Sequence, residues 1–351
     1  MAKLFNRSYT KAELMKYIGD ISQVADARHA KLVSGRAQGV SVIDVITGGG
    51  LNVSILPDRG MDMAWASYKG IPLSCITKCG VVSPMFYEGA GMGFFRSFTA
   101  GLLTTCGLTQ TGPGCVDNGE PLGIHGRISH IPADDVAVYK EWEGDEFVMR
   151  VRGKVREGAY FAEQLTLTRS VTAVMGENRL QIHDVVENCG FHDAPLMLLY
   201  HFNFGHPLVG PDTRLYHTPA KIVPRDEAAK YGLDTCEAFE APSAGYQEQV
   251  FFYDMDTKDD KAFSCLYNEK LGVGCYLSFR KSQLPVFTEW KHMGKGEYIV
   301  GMEPCTNPPI SRAVARERGE LTFLKPGEQR VFDIELGIVD GKDELAELCK
   351  G

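Results

Sequence analysis

No run of about 18 or more apolar residues occurs in this chain, so no segment is expected to cross a membrane as a helix. The first residues, MAKLFNRSYTKAEL, carry a lysine with no apolar stretch behind it, which is not the pattern of a secretory leader. Lys and Arg do not cluster, and the net charge is −8, which argues against a nucleic-acid partner because phosphate neutralisation needs grouped cations. No CxxC pair is present among 10 cysteines, so a structural zinc site has little support. Dilute cysteines without an export signal read as reduced thiols in a cytoplasmic protein, most of them small buried hydrophobes. No GxGxxG follows a strand pattern, and neither a P-loop nor a GxSxG elbow occurs, which removes the motif-level case for dinucleotide, nucleotide and serine-hydrolase chemistry. Sustained helical periodicity is also scarce.

Short alternating or β-branched runs divided by Gly and Pro turns are abundant instead. Helical spacing is confined to the two ends. Thr10 and Glu13 have capping-box spacing, and Leu14, Ile18, Ile21 and Val24 or Ala25 follow at helical intervals. The tail from Asp340 to Lys350 has the texture of a short closing helix. From about residue 38 strand texture dominates, with runs at 136–139, 147–155, 164–172, 179–187, 196–203, 249–253, 262–267, 272–279, 286–290, 298–301 and 329–339. Many strands with turns between them predict an all-β, antiparallel sandwich or barrel. A chain of 351 residues can form such a sandwich as one unit. The expected organisation is an N-terminal helical extension over 1–37 and one β-sandwich domain over 38–351. The Gly- and Thr-rich stretch from Met92 to Gly126 has no period and is expected to be a functional loop.

Chemistry-bearing residues stand out where they interrupt apolar runs. His201 ends the apolar run in LMLLYHFNFGHP, as either a core histidine satisfied by backbone or one that faces a ligand. His125 sits between Gly123 and Gly126, exposed on a turn or presented to a ligand on a flexible backbone. Glu303 closes the apolar strand of YIVGMEP, where desolvation would raise its pKa and make it a usable base, unless Arg312 neutralises it. Arg96 is an isolated cation in GFFRSFTAGLL and needs a partner or a ligand. Asp58, Arg59 and Asp62 surround a glycine turn in LPDRGMD and can simply tie that turn together.

The loop histidine in GIHGR, the strand-end histidine in LLYHFNFG and the late glutamate in VGMEP, in this order, resemble the galactose mutarotase-like (aldose 1-epimerase) superfamily. LPDRGMD, GLLTTCGL, HGRIS, YHFNFGHP and MEPCTN further resemble a bacterial aldose 1-epimerase-like subgroup, over roughly residues 38 to 340. The resemblance implies a large antiparallel β-supersandwich with a sugar-binding cleft, and an isomerase that interconverts sugar anomers by ring opening. It implies Glu303 as base, His201 as acid and His125 as a second, substrate-orienting histidine. Glu248, in YQEQVFFYD, matches an acidic residue that binds sugar hydroxyls, and Arg96 matches the substrate arginine. Arg59, Asn203, Trp290 and His292 complete the expected substrate-binding set. The sequence departs from the family where TAGLLTTCGL replaces an "NR" element and where "HGG" reads His125-Gly126-Arg127.

Anomer exchange needs a carboxylate base and an imidazolium acid, and no cofactor or metal. Phe202, Phe204, Trp290, Trp65 and Phe95 are candidates for stacking on a sugar face. The expected partner is a small-molecule sugar, with a homodimer left open. Two alternatives remain. One is a sugar-binding protein without turnover. The other is a metal-dependent sugar isomerase with His125, His201, His292 and a carboxylate as ligands.

Overall fold

The computed structural model describes residues 1–350. Strands take 49% of the chain and helices 12%, and the strands form an eleven-stranded and an eight-stranded antiparallel sheet with four two-stranded ribbons. This is the all-β sandwich that the turn spacing predicts. No helix of the described residues is long and apolar enough to cross a membrane.

The larger sheet carries the site. Its central strands run in the order Val286–Gly294, Glu297–Cys305, Leu199–Phe204, Leu103–Cys106 and Asp62–Tyr68. The alternation in LYHFNF explains the arrangement. Tyr200, Phe202 and Phe204 point inward to the core between the sheets, and all are fully buried. Tyr200 reaches the eight-stranded sheet, where its hydroxyl donates to Asp184 Oδ2 at 2.7 Å. Burying a side chain such as Phe202 contributes about 1.5–3 kcal/mol relative to leaving it exposed. His201 and Asn203 therefore point to the other, outer face. That face is covered too, by loops from the 92–126 stretch. Both faces of this strand are consequently buried.

Two expectations need correction. The first 37 residues are not a helical extension. The capping box at Thr10 and Glu13 forms as expected, but the helix covers only Lys11–Leu14. Gly19 and Asp20 follow, and Asp20 caps a separate turn at Ile21–Gln23. Asp26–Lys31 is then the edge strand of the eleven-stranded sheet. Leu14, Ile18 and Ala25 join the main core without being helical throughout, so the apolar stripe reports burial and not a helix. The 92–126 stretch is also not wholly irregular, because Leu103–Cys106 enters the centre of the sheet. The closing helix is present at Lys342–Leu348.

Candidate active site

Register sets the site. Phe202 pairs with Met302 and Asn203 with Gly301, which puts His201 directly across from Glu303 on the outer face of two neighbouring strands. His201 Nε2 lies 3.1 Å from Glu303 Oε1, and both side chains are almost fully buried. Neither His201 Nδ1 nor Glu303 Oε1 has a hydrogen-bond partner, so their close approach leaves polar valence free on both sides. Buried polar atoms without partners are rare in folded proteins, and a pair of them at the base of a pocket marks a place for a ligand.

His125 arrives from the covering loops. Its backbone is left-handed, at φ 57, and Gly126 follows at φ 71. A residue other than glycine in that region costs on the order of 1–3 kcal/mol unless its surroundings impose it. Here they do. His125 N–H donates to Gly112 O at 2.9 Å, and His125 O accepts from Gly107 N–H at 3.0 Å. Gly112 N–H donates to His125 Nδ1 at 3.3 Å, which leaves Nε2 to carry the proton of the neutral ring. The His125 and His201 rings stand edge to face, 5.9 Å apart.

The pocket between sheet and loops has a volume of about 180 Å³. Phe94, Phe95 and Phe98 form one wall and Trp290 another, with the Trp290 ring 5.3 Å from that of His201. Glu248 and Arg225 stand at the side. Trp290 Nε1–H donates to Glu248 Oε2 at 2.9 Å, and Arg225 Nη2 donates to Glu248 Oε1 at 2.8 Å.

Burial dominates the electrostatics. It pushes the Glu303 carboxyl well above the ordinary carboxylate range, reinforced by Glu248 and opposed by Arg225. It pushes the His201 imidazole well down, with His125 acting in the same direction. His125 itself is pushed down to about 4 by burial against the opposing pull of Glu248. The Glu303 and His201 shifts both favour the uncharged forms of the pair. Two groups this close titrate as a unit.

The structure thus gathers His125, His201, Glu303, Glu248, Trp290 and Phe95 from the sequence-predicted residues. The rest lie elsewhere. Arg59 is 2% exposed and is consumed by backbone, donating to Ser129 O, Val82 O and Ser97 O at 2.9, 2.6 and 3.1 Å. Arg96 points outward, 70% exposed, and pairs with Glu88 at 3.4 Å. Asn203 donates to Ala100 O and His201 O, and so braces the strand without lining the pocket. His292 is two residues beyond Trp290 and lies against Glu297 O at 2.7 Å, away from the other two histidines. No group of three or more His, Cys, Asp or Glu side chains placed to hold a metal ion occurs among the described residues. Arg312 pairs with Asp117 and not with Glu303. Phe202 and Phe204 are core, and Trp65 lines a separate surface hollow.

Sequence reasoning missed Arg225, Phe94, Phe98 and Gly301. The aromatic pattern GFFRSF was a usable signal for the phenylalanines. Gly301 shares the outer face with Glu303, and a Cβ there would press on the Glu303 carboxyl.

The fold is the galactose mutarotase-like β-sandwich. It matches the structure of a candidate aldose 1-epimerase from Klebsiella pneumoniae subsp. pneumoniae MGH 78578 with a TM-score of 0.87 and 24% identity, over 94% of this chain and 89% of that one. A galactose mutarotase-like protein from Clostridium acetobutylicum matches with a TM-score of 0.63 and 18% identity, over 91% and 99%. The galactose 1-epimerase of Lactobacillus acidophilus NCFM matches with a TM-score of 0.58 and 12% identity, over 91% and 100%. At these identities the likeness is one of fold. The chain belongs to the family of the domain of unknown function DUF4432, whose model matches residues 37–338. No curated protein matches it.

Proposed function

We propose that the protein is an aldose 1-epimerase-type isomerase that exchanges the anomers of a free sugar. The observation that carries this reading is the 3.1 Å approach of His201 to Glu303 at the base of an aromatic pocket. The C1 hydroxyl and the ring oxygen of a pyranose are bonded to the same carbon. A base for one and an acid for the other must therefore be close neighbours, as these two side chains are.

In this reading Glu303 accepts the proton of the C1 hydroxyl and His201 gives a proton to the ring oxygen. The ring C–O bond breaks, the C1–C2 bond rotates, and closure on the other face returns both protons. Burial favours the uncharged pair, and transfer of a proton from Glu303 to His201 arms base and acid together. Burial that disfavours the charged form also favours the return to neutrality, so the catalyst resets. His125, with its proton on Nε2, supplies a hydrogen-bond donor to orient the sugar. Trp290 and Phe98 offer faces for stacking.

The test is anomer exchange followed by NMR on a panel of aldoses, uronic acids and sugar phosphates. Acceleration above the water background, abolished in Glu303→Gln, is the expected result. Binding without acceleration for every sugar would make the chain a sugar-binding protein instead.

A further inference from the structure

The Arg225–Glu248 pair is the polar part of the pocket that proton transfer does not use. Arg225 follows the strand Ala220–Pro224. Its Nε donates to Asp226 Oδ2 at 2.7 Å and its Nη2 to Glu248 Oε1 at 2.8 Å. Its Nη1 makes no hydrogen bond among the described residues. The second oxygen of Glu248 takes the Trp290 indole proton at 2.9 Å. Arg225 is the only Lys or Arg lining the pocket among the described residues. The nearby alternatives face elsewhere, Arg96 to Glu88 and Lys291 to Glu240 and Ala238 O on the inner face of its strand.

An anionic ligand needs a cation that is not already spent. Here one guanidinium is shared by two carboxylates, and Glu303 stands across the pocket. A phosphate or carboxylate group would meet the carboxylates of Glu248 and Asp226 beside the one cation. A hydroxyl group meets a different surface, because Arg225 Nη1–H can donate to it and the remaining lone pairs of Glu248 can accept from it. Adjacent sugar hydroxyls present both an acceptor and a donor.

We propose that the Arg225–Glu248 pair reads two sugar hydroxyls and that Glu248 and Asp226, by holding the Arg225 charge, restrict the pocket to uncharged monosaccharides. This rests on the sugar-site reading above. The experiment is titration calorimetry of the whole chain with D-glucose, D-galactose, D-glucuronate and D-glucose 6-phosphate. Wild type binds at least one neutral sugar, with both anions weaker by about tenfold or more, since like-charge contact is penalised. Glu248→Gln releases the Arg225 charge, so neutral-sugar affinity falls and the anion-to-neutral ratio rises by about tenfold. Arg225→Gln weakens neutral sugars and keeps the discrimination against anions. Wild type that binds glucuronate or glucose 6-phosphate as tightly as a neutral sugar overturns the proposal without touching the sugar site. So does a Glu248→Gln variant whose ratio is unchanged. Absence of binding by all four probes overturns the sugar-site reading, and this proposal with it.

Discussion

Gly301 and Glu303 share the outer face of one strand, and a Cβ on Gly301 would lie 2.4 Å from Glu303 Oε1 and 3.1 Å from His201 Cε1. The missing side chain is therefore the space in which the acid–base pair sits. Gly301 does not have a positive φ, so alanine fits its backbone and the conflict is confined to the pocket. Gly301→Ala should displace the Glu303 carboxyl and lower the anomerisation rate by about 10²-fold, as misplacement on the ångström scale does. Its circular dichroism should match wild type. Full activity in Gly301→Ala, measured by NMR exchange, would show that the position of Glu303 Oε1 does not matter.

The shared proton makes a second prediction about non-additivity. Glu303→Gln and His201→Asn should each slow exchange by about 10²–10⁴-fold, the usual contribution of general acid–base catalysis. The double variant should be little worse than either single one, because one member cannot work without the other. Independent, multiplying losses would mean that the two side chains act on separate steps.

Particular residues show why some of this was legible in sequence. LYHFNF alternates aromatic and polar residues, and one register then commits His201 to the outer face. Glu303 and His125 were visible for the same reason, as polar groups set in apolar or glycine-rich surroundings. Leu14, Ile18 and Ile21 misled because helical spacing and core contact coincide over so short a stretch, while the helix stops at Leu14 and Asp20 opens a separate turn at Ile21–Gln23. Arg225 gave no signal. In VPRDEAAK it looks like the solvated start of a helix, and Asp226 does cap that helix through Ala229 N–H at 3.0 Å. Its pocket contact depends on Glu248, which is 23 residues away.

Arg59 and Arg96 make a controlled comparison. Both are arginines expected at the site from sequence, and one is buried against carbonyls while the other is exposed. Burial pushes the Arg59 guanidinium down to about 10, yet it remains charged at neutral pH and holds three carbonyl groups from separate loops. Arg59→Ala leaves those carbonyls without donors, at about 1–3 kcal/mol for each buried group left unsatisfied. It should unfold at much lower denaturant than wild type or fail to accumulate in soluble form. Arg96→Ala removes only an exposed pair with Glu88, and its stability should stay within about 0.5 kcal/mol of wild type. Equal midpoints for the two variants in urea unfolding would contradict the structural role of Arg59.

Glu289 predicts how stability depends on pH. It lies on the inner face of the strand that carries Trp290 and is fully buried. Tyr253 donates to its Oε2 at 2.7 Å, and its Oε1 has no partner. Burial pushes its pKa from 4.5 up to about 8, with the Tyr253 hydrogen bond and Lys291 opposing. Between pH 4.5 and about 8 the unfolded chain has released this proton and the folded chain keeps it, so folding takes up a proton and stability falls as pH rises. Above about 8 the effect is flat. Glu289→Gln keeps the shape and can still accept from Tyr253, but it has no proton to lose. At pH 4, where both side chains are neutral, the variant and wild type should melt within a degree or so of one another. At pH 8 the variant should melt several degrees higher, since every tenfold difference in proton affinity between the folded and unfolded chain corresponds to about 1.4 kcal/mol at most. Melting curves taken across this range check the argument, and a difference between the two proteins that stays constant from pH 4 to 8 would mean that Glu289 is ionised in the folded protein throughout.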